Sequence, residues 1–146
     1  MAKAKVNMNE FNKSMNSLEE AFVQRLDKIE KAFVKTMKTM EQEAIAAAPI
    51  DTGELKNSIK WTEVNKLSYQ LRADAYYAAY VEFGTGPYVI VNKYDSYWQD
   101  IALPFKSPNP SSNRKIQAQP FFYPTVNKNI AKLRDKIKNI LSKNEG

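Results

Sequence analysis

The chain contains no cysteine and no histidine. Those two absences remove thiolate nucleophiles, the Ser-His and Cys-His couples of covalent catalysis, disulfides and the usual structural zinc sites. Glycine is scarce, with four residues in 146. Gly84-Thr85-Gly86 has neither the length nor the Lys-Ser/Thr ending of a phosphate-binding loop, and it reads as a turn. Asp95 and Asp100 lie outside any calcium-loop spacing. No cofactor and no metal are expected. No apolar run approaches the ~20 residues of a membrane span, and the N-terminal segment lacks the apolar core of a signal peptide. The expectation is a soluble, intracellular protein with no membrane partner.

What the chain does have is length enough for one domain, residues 1–146, with a working core. Its net charge of +6 is uneven, because six cations and two acids fall in residues 126–146. A basic end of that kind suits DNA phosphates or an acidic partner, and equally the solvated face of a helix.

From Met8 to about Ala48, the apolar residues Phe11, Met15, Leu18, Phe22, Leu26, Ile29, Phe33, Met37, Met40 and Ala44 recur at steps of three and four. That spacing predicts one helical stripe. A helix of up to 40 residues would span ~60 Å, more than a compact domain of this size needs. Either part of it projects and seeks another helix or subunit, or it breaks near Asn16-Ser17 into an arm and a shorter core helix. Pro49 ends it. Beyond, "SIKWTEV" and "LSYQLRAD" alternate apolar and polar residues around Asn65-Lys66 and predict a β-hairpin. "AYYAAYVEF" is helix-compatible up to Gly84.

Asp51-Thr52-Gly53 carries the tripeptide of aspartic proteases, yet its context is wrong. An aspartic protease needs paired carboxylates on loops following apolar strands, whereas this tripeptide occurs once, follows a long helix and precedes Glu54. The reading it supports is a capping turn, with Asp51 and Thr52 accepting backbone N–H groups. No catalytic residues are expected and the chain is read as a non-enzyme.

Residues 76–98 hold a dense aromatic group near Lys93, suited to base stacking or, more simply, to a core or subunit interface. "LPFKSPNPSSNRKIQAQP" has four prolines and no periodicity, which predicts an extended loop insert over 87–118. In the last segment Pro124 marks a helix start, and Val126, Ile130, Leu133, Ile137 and Ile140 form a second stripe. The fold expected is α+β: a long N-terminal helix or arm (1–48), a turn, hairpin and short helix (49–86), the insert, and a C-terminal helix (119–146) packed on a small antiparallel sheet.

Three ordered blocks now resemble a known pattern. "AAAPIDTGELKNSI", "YYAAYVEFGTG" and "AQPFFYPTV" are similar to the tail-component family of long-tailed bacteriophages, whose members are tail-completion or head-tail joining proteins of the neck. The matching positions are Ala48, Pro49, Thr52, Gly53, Leu55, Ser58 and Ile59; Tyr77, Ala78, Tyr80, Glu82, Gly84 and Thr85; and Gln119, Pro120, Phe121 and Pro124, with Asp51 inside the first block. The resemblance implies a structural virion protein, assembled in the bacterial host cytoplasm as a homo-oligomeric ring, a hexamer, around the DNA passage. It implies head-side adaptor and tail-terminator proteins as neighbours, and it adds no catalytic residue. Leu55, Ile59, Phe121 and Phe122 are expected to pack in or beside the sheet, and Gly84 to turn the chain. The alternative is a DNA-binding module using Lys128, Lys132, Arg134, Lys136 and Lys138 on the last helix, where Lys128, Lys132 and Lys136 share a face.

Overall fold

The computed structural model describes residues 7–50, 53–106 and 116–143. Asp51 and Thr52, with the capping role expected of them, lie outside the described residues, as does much of the Pro-rich part of the insert.

The apolar stripe forms one unbroken helix, α1 (Met8–Ala47), with no break at Asn16-Ser17. Asn7 caps its start by accepting the Asn9 N–H. At the other end Ala48 turns extended, as the residue before a proline tends to. A short helix, α2 (Glu54–Ser58), leads into an antiparallel pair, β1 (Ile59–Asn65) and β2 (Ser68–Ala73). The hairpin turn falls one residue later than Asn65-Lys66 suggests. Leu67 adopts the left-handed conformation at φ 60°, and an irregularity between Glu63 and Asn65 shifts the register.

Ile59, Trp61, Leu71 and Ala73 occupy one face of the hairpin, directly opposite one another in the pairs Ile59–Ala73 and Trp61–Leu71. That face packs on the C-terminal half of α1. The Glu41 carboxylate accepts the Trp61 N–H at 2.8 Å, and the Phe33 and Tyr69 rings stack at 5.4 Å. Small residues set the closeness: Ala44, Ala48, Ala75 and Ala78 surround Leu55, Ile59 and Phe121, with Ile59 and Phe121 fully buried. A methyl group at each alanine position lets backbones approach, so larger side chains there would overpack the core.

The insert is where sequence and structure part. Residues 86–105 are not extended. They form single 3₁₀ turns at 86–88, 91–93 and 103–105 around a helix, α4 (Ser96–Ala102), capped by Asp95. With α3 (Ala78–Phe83) they build a second core in which Phe83, Val89, Tyr94 and Ala102 are buried and Trp98, Phe105 and Tyr123 pack around them. Ring pairs at 4.9–5.6 Å, such as Tyr94–Tyr123 and Phe83–Phe105, have the offset or edge-on geometry aromatics favour.

The last helix, α5 (Tyr123–Ser142), runs antiparallel along α1. At one end Glu43 accepts from Asn129 (2.7 Å) and pairs with Lys128 (3.1 Å), and at the other Arg25 donates to the Lys143 carbonyl (3.2 Å). N-terminal to Arg25, none of the described residues covers α1.

Candidate functional site

The three sequence blocks converge on one junction, whose centre is Glu82. Although α3 is short, it places this carboxylate 3% exposed beside the start of α5. One oxygen accepts the N–H groups of Phe121 and Phe122 at 2.8 Å each, and the other accepts that of Tyr123 at 2.9 Å. The first N–H groups of a helix have no partner inside it. Phe122, at the cap position of α5, has no side chain to offer them. Glu82 supplies from another helix what a local Ser or Asp would normally give, and its negative charge also suits the positive end of the α5 dipole.

Gly84 follows at φ 75°. A Cβ there would lie 2.7 Å from the Ile116 carbonyl oxygen and 2.8 Å from the Ala118 nitrogen, so the third block comes within contact only because this residue has no side chain. Backbone bonds stitch the segments: Thr85 N–H to Ile116 O at 2.9 Å and Gln119 N–H to Val81 O at 2.7 Å, with the Thr85 hydroxyl accepting from Ile116. In the first block, Leu55 and Ile59 are buried and the Ser58 hydroxyl donates to the Leu55 carbonyl at 2.7 Å. Gly53 takes φ 80° with open space around it. Ala78 and Phe121 are buried, Pro49, Tyr77, Thr85, Pro120 and Phe122 are half-buried, and Tyr80, Gln119 and Pro124 are exposed.

Burial pushes the Tyr94 phenol above its ordinary range, helped by the nearby charge of Glu82. Among the described residues no group of three or more acidic side chains could hold a metal ion. What the junction can do chemically is hold a fold closed.

A second arrangement faces outward. Residues 8–24 of α1 are all exposed, and along them Met8, Phe11, Met15, Leu18 and Phe22 keep the three-four spacing. The same stripe continues through Met37, Met40 and Ala44, where the hairpin and α5 bury it. Over its first 17 residues, ~26 Å at 1.5 Å per residue, nothing among the described residues covers it.

A third arrangement is cationic. The five basic residues of α5 do not act as one group. Lys128 is paired with Glu43, while Lys132 and Lys136 face the cleft between α5 and α1, and Arg134 and Lys138 point elsewhere into solvent. The cleft acquires further cations from α1, Arg25, Lys28 and Lys35, which lie about a hundred residues from α5 in the chain and share no local pattern with it. The Glu43 carboxyl is held below its ordinary range by the Asn129 hydrogen bond, against the opposing effect of burial, with Lys128 and Lys132 adding to the lowering.

A family model, that of the HK97-gp10-like bacteriophage tail components, matches residues 9–84. That span takes in nearly all of α1, then α2, the hairpin and α3, and it ends at Gly84. No curated protein and no solved structure matches the chain.

Proposed function

The chain belongs to the HK97-gp10-like family of bacteriophage tail components, and from that premise we propose that it completes the tail, or joins tail to head, as one subunit of a ring in the neck of the virion. The observation that carries this reading is the uncovered stripe on α1. Exposed apolar patches with a regular outline mark sites of protein association, and here the patch lies on a helix that projects past its own body. Phe11 and Leu18 are 50% and 65% exposed, and both fall within the matched residues.

A closed ring requires each copy to present two different surfaces, one of which receives the neighbour's other. The stripe is one such surface. The described start of the insert, residues 88–103, with Tyr97 and Ile90 prominently exposed, offers a second. The head-side adaptor and the tail terminator then meet the faces of the ring, and the genome passes through its centre. The shared sequence blocks build the body that carries these surfaces; they do not form a reaction centre.

Electron microscopy of lysates from the parent phage with this gene disrupted tests the role. DNA-filled heads beside separate tails of normal length are expected. Intact, infectious particles would remove the joining role.

A further inference from the structure

We infer that the groove between α1 and α5 binds the phosphate backbone of duplex DNA. Two clefts of about 260 and 170 Å³ open between these helices and share Lys136. They are lined by Arg25, Lys28 and Lys35 from α1 and by Lys132, Lys136 and Lys143 from α5, and among the described residues no acidic side chain lines either one. Neutral polar groups, among them Thr36, Thr39 and Asn139, fill the intervals. Between the same two helices Glu43 of α1 pairs with Lys128 of α5 at 3.1 Å. Asp27 and Glu30 lie in a separate hollow on the other flank of α1, with Lys31, Lys38 and an edge of Lys35.

The composition of the groove selects its ligand. Binders of single strands seat bases on aromatic rings, and no aromatic residue lines these clefts. An apolar partner helix would need an apolar floor, and among the described residues Ile140 and Leu133 are the only apolar side chains on the lining. What remains is a straight double row of cations. Arg25 to Lys35 covers ~15 Å of α1 and Lys132 to Lys143 ~16 Å of α5. One strand of B-DNA carries a phosphate every ~3.4 Å of axis, so each row spans about four or five phosphates. Contacts of this kind position the duplex and read no sequence. The inference is independent of the joining role, because the groove and the exposed stripe share no residue.

The test is fluorescence anisotropy with the full chain and a random-sequence 25-base-pair duplex, between 50 and 200 mM KCl. With up to six phosphates neutralised, the slope of log K against log salt is expected near −5, a loss of roughly 10³-fold in affinity over that range. Lys132→Gln with Lys136→Gln should flatten the slope by about 2, one unit per lysine. Arg134→Gln with Lys138→Gln, equal in charge removed but outside the groove, should leave it nearly unchanged. Circular dichroism melting of each variant keeps folding separate from binding. Three results would overturn the inference: no duplex binding at 50 mM KCl, equal flattening by the two double variants, or displacement of the duplex by polyglutamate or single-stranded DNA at matched charge concentration. The last would assign the groove to an acidic protein or to any flexible polyanion.

Discussion

The Glu82 carboxylate accepts the Phe121 N–H at 2.8 Å across 39 residues of sequence, inside a site closed to water. Two further backbone donors end on the same side chain. Glu82→Ala strands all three and is expected to lower stability by ~3 kcal/mol or more, while Glu82→Gln, which keeps one carbonyl acceptor, should lose roughly half of that. Urea unfolding of the two variants checks both the size and the order.

Gly84→Ala combines two penalties. At φ 75° and ψ −167° the backbone lies in a region that is essentially glycine-only, a cost of ~1–3 kcal/mol for an L-residue, and the added methyl meets backbone atoms of residues 116 and 118 at 2.7–2.8 Å. Backbone cannot swing aside as a side-chain tip can, so a total loss of about 2–4 kcal/mol is expected. Gly53→Ala, in the left-handed helical region with open space around the Cβ, should cost only ~1–2 kcal/mol. Its melting temperature should therefore fall less than that of Gly84→Ala.

Phe11→Gln with Leu18→Gln should behave in the opposite way. Both sites are solvent-exposed in the single chain, and Gln keeps most of Leu's helix propensity. Unfolding free energy should change by less than ~0.5 kcal/mol at each site. Sedimentation velocity should nevertheless show loss of self-association, together with failure to complete particles. Assembly that survives the double change would count against the stripe as a contact.

Glu43 predicts a pH dependence. Its folded pKa is lowered, first by Asn129, so the folded state binds the proton less readily than the unfolded chain does. The stability it contributes is therefore present above the ordinary glutamate value of 4.5 and is lost as pH falls below that, through the lower folded value. Glu43→Gln should reduce the acid-side drop in melting temperature, a difference visible between scans at neutral pH and scans well below pH 4.5. Identical acid limbs for the two proteins would show that the Asn129 and Lys128 contacts add nothing.

The long elements were readable because their signals are long. Ten apolar residues at helical spacing, uninterrupted until Pro49, leave little choice for α1. The hairpin followed from period-two alternation, and its turn was misplaced because Leu67 takes a left-handed φ that apolar residues rarely adopt. The rings of the second core were expected in a core or a subunit interface, but the turns and helix that carry them were not. The helices of this core run three to seven residues, too short for any periodicity, and its buried rings are spread between Phe83 and Tyr123. The role of Glu82 was hidden for a different reason, since a carboxylate that caps a helix 39 residues away leaves no local pattern. Two clues existed all the same: Glu82 is the only charge in the run from Ala75 to Pro87, and the last helix opens on Phe122 without a capping side chain.

The unaccompanied part of α1 has a thermodynamic consequence. Helices shorter than about 12–15 residues are marginal in water, and tertiary packing supplies most of the stability of those in proteins. Residues 8–24 receive none of it from the described residues. They are seeded at Arg25 by the packed half of the helix and propagate outward with little to hold them. The arm is therefore held less firmly than the packed half of the same helix, and a surface that covers the stripe would add the tertiary support it lacks. In the joining role proposed, docking and ordering of the arm would be a single step, brought about only by a surface that matches the stripe.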